Sequence, residues 1–350
     1  RAFTAIMSRS VGTKDERPQV TWFVDPIELF KNISRENAGG QMALAMLPML
    51  GLDGVKAAGG SMIYAAEEFD SIAHMHLLLD NPRSGVLELI AMESGDTSPE
   101  TWVPPDAASY MTVCWNFQKT LEGVRKLFDQ FNGEHALSNA VKRRLSDPLG
   151  VDFEKDVLGQ VGNRVTHVSW FEKPARVNSG TNLVGVRLVN ASAFQPTFEK
   201  MVAKAGSAAT KKNYRGITYF AFQVGRGQQN VDEVLLRQPS PCLGVVGDYL
   251  LFSDSVSCLE TAIASKHDGS RSLADELDFK LIYSRIQQHL GSTKPGMVAF
   301  QRPEETMRSF YELATSPTTR RRLEEAAQTN QALRALNAAL KENPLPPFAA

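Results

Sequence analysis

Two histidines stand two positions apart in an apolar segment, a spacing that suits metal binding. His74 and His76 lie in residues 72–79, whose apolar run predicts a β-strand. Side chains two positions apart on a strand share one face, and imidazole nitrogens bind metal ions. A catalytic zinc site typically has three protein ligands, and no third ligand is indicated here. We therefore interpret the pair as a solvated or half-packed strand face and predict no metal site.

Two aspartates end similar four-residue motifs. Asp53 ends a Leu-Gly-Leu-Asp run, and Asp152 ends a Leu-Gly-Val-Asp run. A catalytic role would have to be present twice, once in each setting. Aspartate at such positions is suited to capping a helix or forming an Asx-turn. A structural role is therefore predicted for both.

The glycine pairs resemble a phosphate cradle only superficially. Gly59 with Gly60, and Gly159 with Gly162, match neither the Walker pattern nor the Gly-x-Gly-x-x-Gly pattern of dinucleotide sites. We interpret them as turn glycines before a hairpin.

The chain shows no nucleophile signature. Cys114, Cys242 and Cys258 allow one disulfide at most, and the apolar setting of Cys114 predicts a buried thiol. The Gly-x-Ser-x-Gly and His-Glu-x-x-His motifs are absent from the sequence. The arginines at 320–322 and the carboxylates at 67–68 and 324–325 predict solvated surface. We accordingly assign no catalytic, cofactor-binding or metal-binding residue.

Composition narrows the class of protein. The 350 residues include 38 basic and 39 acidic side chains, a net charge of −1. Hydrophobic residues make up 43% and charged residues 22%, as in average globular proteins. Because nucleic-acid binders usually carry a basic surplus, no nucleic-acid partner is expected. No apolar run reaches the length needed to span a bilayer, so no direct membrane span is expected.

The first part of the chain predicts a strand–helix–hairpin order. Residues 20–24 form an apolar strand, Asp25 is a helix cap, and Pro26 occupies the first helical position. A further helix is predicted near residues 41–47, followed by strands at 61–65 and 72–79. A helix starts at 86–90. The polar, proline-rich segment 93–106 is interpreted as a connection.

The same order returns in the following hundred residues. A strand at 110–115 precedes a helix with apolar spacing, then Asp152, strands at 165–171 and 182–188, and a helix at 194–202 led by Asn190. This repetition predicts an internal duplication, in which residues 20–95 superpose on residues 108–205.

The remainder predicts a hairpin and a long helix. Gly247 and Asp248 form a two-residue loop between strands at 243–246 and 249–252, with positive φ expected at Gly247. A third strand–helix start is predicted at 297–303. Residues 318–340 predict one long helix with a narrow apolar stripe that includes Leu333 and Leu336.

These elements predict an α+β fold of duplicated units, each an antiparallel sheet covered by helices, with a partial third unit and a long C-terminal helix. The predicted divisions are an N-terminal extension at 1–19, a first unit at 20–106, a related second unit at 107–208, a hairpin-rich region at 209–294, and the partial unit at 295–350.

Five segments together resemble a known family. They are Thr-Trp-Phe-Val-Asp-Pro at 21–26 and the runs at 76–90, 149–156, 247–254 and 272–279. Over about residues 20–315 the chain resembles exported proteins, typical of planctomycete-type bacteria, that carry a large domain of unknown function. The resemblance implies an upstream leader or membrane anchor and a place in the periplasm or cell envelope. It implies no activity and no catalytic residue.

Two functions follow as hypotheses. The first is a non-enzymatic binding or structural module of the cell envelope, without cofactor, in which a protein partner or a second copy contacts residues 295–350. The alternative is a hydrolase-type enzyme whose site is assembled from distant residues at the seam between units. A deep pocket with clustered acids and histidines would favour the enzyme, and a shallow apolar surface would favour the binding module.

Overall fold

The computed structural model describes residues 1–10, 17–35, 38–66, 69–223, 236–269 and 271–348. Within these ranges it contains helices together with one three-stranded and one eight-stranded antiparallel sheet. The predicted α+β class is therefore confirmed. The carboxylate pair at 67–68 lies outside the described residues.

The chain divides into two compact units. The first consists of Arg1–Ala91 and Gln118–Asn139, and the second of Met92–Phe117 and Ala140–Ala350. The elements assigned to the first unit are α1 (Ala2–Ser10), β1 (Val20–Val24), α2 (Pro26–Ser34), α3 (Ala38–Met46), β2 (Val55–Ala66), β3 (Phe69–Leu79), most of α4 (Phe117–Asn132) and part of α5 (Ala136–Val141).

Helix α2 begins as its sequence predicts. The Asp25 side chain accepts a hydrogen bond from the Glu28 backbone N–H at 3.0 Å, and Pro26 takes the first helical position. The carboxylate thereby satisfies one of the N–H groups that a helix leaves without an intrahelical partner.

Strands β1, β2 and β3 pair in that order, and helix α1 packs against one face of their sheet. A Cβ added at Gly59 would approach Ile6 to 2.5 Å, so glycine at this position lets the helix lie close. The Ser61 hydroxyl donates to the backbone carbonyl of Ser10. Residues 2–10, within the predicted N-terminal extension, are therefore part of the first unit's packing.

The second unit holds the larger sheet. Its elements are β4 (Ser109–Cys114), α6 (Asp147–Leu149), β5 (Val161–Phe171), β6 (Gly180–Leu188), α7 (Ala191–Ala203), β7 (Ala209–Tyr214), β8 (Ile217–Phe222), β9 (Cys242–Val246), β10 (Tyr249–Ser253), α8 (Val256–Asp268), α9 (Leu277–Leu290), β11 (Met297–Gln301), α10 (Pro303–Thr315), α11 (Pro317–Ala327) and α12 (Gln331–Glu342).

The eight strands run in the order β11-β4-β5-β6-β10-β9-β8-β7. Leu259 and Ile263 on α8 and Phe279 on α9 join Leu183 and Leu251 of the strands in the main core. Helix α7 forms a second core through Phe194, Phe198 and Val202, packed with Leu188 and Phe220. The sheet crosses the boundaries predicted at 208 and 294, because β6, β10 and β11 belong to it together.

The two predicted copies have the same strand order. Strands β1-β2-β3 and β4-β5-β6 are each consecutive antiparallel neighbours. Asp152 caps a helical turn by accepting from the Lys155 N–H at 3.1 Å, whereas Asp53 lies inside the 3₁₀ turn Leu52–Gly54. The superposition of the copies, and the predicted division into units, remain predictions.

Two predicted helices do not form as predicted. Residues 86–90 form only the 3₁₀ turn Gly85–Leu89, since Met92 shortly afterwards bridges Trp115 in extended conformation. The single helix predicted at 318–340 is wrong, because α11 ends at Ala327 and α12 begins at Gln331. The Asn330 side chain caps α12 by accepting from the N–H groups of Ala332 and Leu333.

The predicted hairpin is confirmed. Tyr249 pairs with Val246 across the two-residue loop, and Gly247 has φ of 60°. No helix among the described residues has both the length and the apolar composition for a membrane crossing.

Candidate functional site

The larger sheet presents one face on which apolar side chains remain exposed. Strand residues alternate between two faces, and those facing α8 and α9 are buried. On the other face Met111, Phe252 and Met297 are 37%, 50% and 42% exposed. We call this surface the open face; it comprises Met111, Val113, Val165, His167, Val184, Val186, Leu250, Phe252, Met297 and Ala299.

The strand register arranges the open face in two rows. The first row runs across five strands, with each residue directly opposite the next: Ala299, Met111, His167, Val184 and Phe252. The second row runs parallel to it: Met297, Val113, Val165, Val186 and Leu250. At the usual strand spacing each row is about 19 Å long. The rows make a narrow track that is apolar except at His167.

A polar row borders this track. Gln301, Ser109, Ser169 and Asn182 lie opposite one another across the same strands. The Ser109 and Ser169 hydroxyls are 2.6 Å apart, and His167 Nε2 lies 3.1 Å from Asn182 Oδ1. Hydrogen-bonding groups therefore stand beside the apolar track at one border.

Helix α7 ends the track at the β9–β10 side. Leu250, and Leu243 opposite Phe252, pack against the α7 core. The open face is consequently bounded on one side by a helix. Its exposed side chains lie on β4, β10 and β11, while those of β5 and β6 between them are half-buried.

A buried ionic network lies on the opposite face of the same strands. Arg164 on β5 is 5% exposed, and its Nε is 3.0 Å from Glu100 Oε1 and 2.9 Å from the Thr112 hydroxyl. Its Nη2 donates to the Tyr110 hydroxyl at 3.0 Å and to the backbone carbonyl of Ser98. This guanidinium links β4 and β5 to the segment that precedes them.

Glu100 completes the network. Its Oε1 also accepts from the Thr166 hydroxyl at 2.5 Å, while Oε2 has no hydrogen-bond partner among the described residues. Burial raises the pKa of the Glu100 carboxyl, an effect that the Arg164 charge opposes. Burial likewise raises the pKa of the Tyr110 and Tyr249 hydroxyls, which therefore stay protonated at neutral pH. These groups fix the sheet and are too buried to meet a ligand.

A separate cleft of about 770 Å³ lies elsewhere in the second unit. Its lining includes Trp170, Glu172, Lys173, Arg302 and Arg308 together with further carboxylates at 106, 276, 304, 305 and 312. Many of its charges are engaged within the protein. Arg302 binds Asp278 at 2.7 and 3.0 Å, and Lys173 lies 3.4 Å from Glu312.

Glu172 on the cleft wall is held by structural partners. Its Oε1 accepts from the Ser255 hydroxyl, and its Oε2 is 3.8 Å from Arg237 Nε. Arg237 in turn contacts Asp254 Oδ2 at 3.2 Å and the backbone carbonyls of Asn178 and Gly180. The lining residues in the described chain include neither histidine nor cysteine, so the cleft lacks the mix of acids and histidines that would favour a hydrolase.

The sequence-predicted histidine pair lies in the first unit. His74 and His76 share the α1-covered face of β3, with parallel rings whose centroids are 6.3 Å apart. Within the described ranges, no three His, Cys, Asp or Glu side chains are grouped so that they could hold a metal ion.

The three cysteines are buried, and none forms a disulfide. Burial raises the pKa of the Cys242 and Cys258 thiols to about 12 and also raises that of Cys114. Protonated, enclosed thiols are poor nucleophiles. The predicted burial of Cys114 is confirmed.

Sequence reasoning assigned no residue of the open face to function. The strands were predicted, but their partners were not, and only the register shows that Met111, His167 and Phe252 stand in one row. The signal within the sequence was the apolar residue at every second position of each strand, which by itself cannot distinguish a covered face from an open one.

Fold and surface together define an α+β protein whose large antiparallel sheet is partly open on one face. A family model described as a protein of unknown function, DUF3352, matches residues 87–341. The chain belongs to this family. The match starts after β3, so the three-stranded sheet lies outside the matched residues, and it does not coincide with the 20–315 range of the sequence resemblance. No curated protein and no solved structure gave a match.

Proposed function

We propose that this protein is a non-enzymatic binding module of the bacterial cell envelope that holds the acyl chain of an amphiphile on the open face. The observation that carries the proposal is the pair of apolar rows in register across five strands, with Met111, Phe252 and Met297 exposed. The cell-envelope location is supported by the resemblance to exported proteins.

The shape of the track favours an acyl chain over a protein helix. Two adjacent rows on a strand face are about 7 Å apart, whereas a helix with its side chains is about 10 Å across. The track also ends against α7 at Leu243 and Leu250. Each methylene removed from water contributes roughly 0.8 kcal/mol, so a long chain on this track gains several kcal/mol.

The polar row supplies the other half of an amphiphile site. Asn182 belongs to the polar row, and His167 lies 3.1 Å from it in the adjacent row of the track, so an amide and an imidazole group stand side by side at this border. A headgroup lying over this border would keep its hydrogen bonds while the chain follows the apolar rows. The arrangement requires no proton transfer and no covalent step.

The test is a titration with dansyl-undecanoate, a fluorescent fatty acid, followed by displacement with palmitate. Met111→Lys combined with Phe252→Lys should weaken binding by more than tenfold, because both changes place charges on the track. Met307→Lys combined with Phe310→Lys is the control, since these side chains on α10 are 61% and 63% exposed and lie off the open face. Equal binding by the two double variants would contradict the proposal.

The hydrolase alternative predicts a site assembled from distant residues at the seam between units, and the charged cleft of the second unit is the pocket on which hydrolysis can be tested. Glu172 on the cleft wall is the carboxylate to change, because its position is fixed by Ser255 and Arg237. Hydrolysis of p-nitrophenyl esters or glycosides that disappears in Glu172→Gln would support the enzyme, provided that the variant keeps its melting temperature.

A further inference from the structure

The first unit contains a long strand with a free edge. In the order β1-β2-β3, strand β3 has β2 on one side and no strand partner on the other among the described residues. It spans Phe69–Leu79, 11 residues. At about 3.4 Å per residue this edge is about 37 Å long. Half of the N–H and C=O groups of such a strand point away from the sheet, ready to pair with another strand.

The other sheet edges in the described part of the chain are protected, and β3 is not. Natural edge strands avoid unwanted pairing by being short or by carrying lysine, proline or a bulge. Edge strand β7 carries the exposed Lys211 and Lys212, and the edge strands β1 and β11 have five residues each. Strand β3 contains neither lysine, arginine nor proline, and Asp70 near its start is its one acidic residue. The register irregularity in the β2–β3 pairing lies in β2, between Val55 and Ala57.

Side chains on β3 are also exposed where a partner would cover them. Met75 is 79% and Leu77 55% exposed, and Tyr64 on the neighbouring strand is 50% exposed. Pairing places Met75 opposite Gly60 and Leu77 opposite Ala58, so these side chains are on the face that α1 does not cover. The strand therefore combines an unpaired backbone with an unpartnered apolar surface.

We propose that β3 pairs antiparallel with β3 of a second copy of this chain. An isologous contact requires a surface that is complementary to itself under a two-fold rotation, and an apolar strand meets this condition. If the two-fold axis passes beside Met75, that residue lies opposite the partner's Met75, and Leu77 lies opposite the partner's Ala73. The two three-stranded sheets become one six-stranded sheet, and no pair of like charges is opposed at its centre.

The contact is small. An edge about 37 Å long on a sheet about 10 Å thick buries on the order of 700 Å² in total, below the roughly 1,200 Å² of stable interfaces and in the range of transient contacts. The dimer is therefore expected to be weak, and its affinity should be sensitive to single charges at the centre of β3.

Sedimentation velocity across a concentration series tests the pairing. The wild-type chain should pass from monomer to dimer, and Met75→Lys with Leu77→Lys should raise the Kd more than tenfold, since lysines then face each other across the axis. Met42→Lys is the matched control, because Met42 on α3 is 67% exposed and is not on β3. A second comparison uses Leu333→Lys with Leu336→Lys, which changes the C-terminal helix predicted to bind a partner.

Cysteine substitutions on β3 test the register of the proposed β3–β3 pairing. All three native cysteines are buried, so Ala73→Cys, Met75→Cys and Leu77→Cys each add one accessible thiol. Opposed residues of antiparallel strands have Cβ atoms about 5 Å apart, close to disulfide distance. One of the three variants should form a covalent dimer on mild oxidation much faster than the others. A monomer at all concentrations, equal cross-linking at the three positions, or a dimer lost only in the Leu333/Leu336 variant would overturn the proposal.

Discussion

Arg164 on β5 and Glu100 in the segment before β4 form a buried ion pair, 3.0 Å between Nε and Oε1, directly beneath the strands that carry the open face. Both side chains are 7% exposed. Removing one partner of such a pair leaves a charge without compensation in the interior, which typically costs about 3–5 kcal/mol.

Arg164→Met should therefore lower the free energy of unfolding by about 3–5 kcal/mol. Chemical denaturation followed by tryptophan fluorescence measures it, and Arg187→Met on exposed β6 surface is the control, with an expected loss below about 1 kcal/mol. Equal losses of unfolding free energy in the two variants would show that the buried ion pair contributes no more to stability than an exposed arginine does.

The Gly247 turn gives a second stability prediction. Gly247→Val forces a β-branched residue to a φ of 60° and should cost about 1–3 kcal/mol. Gly180→Val is the control, because a Cβ there meets only Phe171, at 3.9 Å. A loss under about 0.5 kcal/mol at Gly247 would speak against strain in this turn.

Asp278 gives a pH dependence. The hydrogen bonds from Arg302 are the main cause that lowers the pKa of this carboxyl, aided by the Phe279 N–H and opposed by burial. A lowered folded pKa stabilises the protein above the ordinary aspartate value of 3.8, and this stabilisation is lost as the pH falls through the folded pKa. Wild type should thus be more stable than Asp278→Asn at pH 7, with the difference shrinking toward pH 3. A difference that stays constant over this range would contradict the assignment.

The cap of α12 explains why the C-terminal helix is broken, and it can be tested. Asn330→Ala removes the side chain that accepts from two N–H groups and should cost about 1 kcal/mol. Asn337→Ala, inside α12, should be neutral or slightly stabilising. Thermal melts monitored by circular dichroism compare the two; a cap variant no less stable than the control would be the contrary result.

Local chemistry made some elements predictable. Asp25 before Pro26, Asn190 before α7 and Gly247 in its loop each satisfy a rule that acts over a few residues, and the structure has all three. The Asn330 cap was equally local, yet the apolar stripe on both sides of it favoured one continuous helix.

Long-range packing made other features unpredictable. Residues 93–106 were interpreted as a connection because they are polar and rich in proline, but Trp102 and Val103 are 1% and 0% exposed in the core. The polar residue Glu100 is buried because Arg164, 64 positions later, compensates its charge. The open face depends in the same way on strands that are distant in sequence, such as β11 beside β4.

The prediction that the protein binds no zinc can be tested directly. Purified protein should contain no stoichiometric zinc by elemental analysis, since the pair His74 and His76 has no third ligand in reach among the described residues. One zinc per chain that is lost in His74→Ala would overturn both this expectation and the non-enzymatic interpretation.

Charges placed on the open face should alter binding without altering the fold. Because Met111 and Phe252 are already 37% and 50% exposed, their replacement by lysine should change the free energy of unfolding by less than about 1 kcal/mol. His167→Ala should weaken a fatty acid more than the corresponding hydrocarbon, since only the former has a headgroup for the polar row. Equal weakening of both ligands would remove His167 from headgroup recognition.

The most direct measurement is photo-cross-linking with a diazirine-bearing palmitic acid, followed by digestion and mass spectrometry of the labelled peptides. If the open face holds the acyl chain, the label should fall on β4, β5, β6 and β10, near Met111, Val184 and Phe252, and unlabelled palmitate should displace it. Label that falls mainly on β3 or α2, or that palmitate does not displace, would contradict the account.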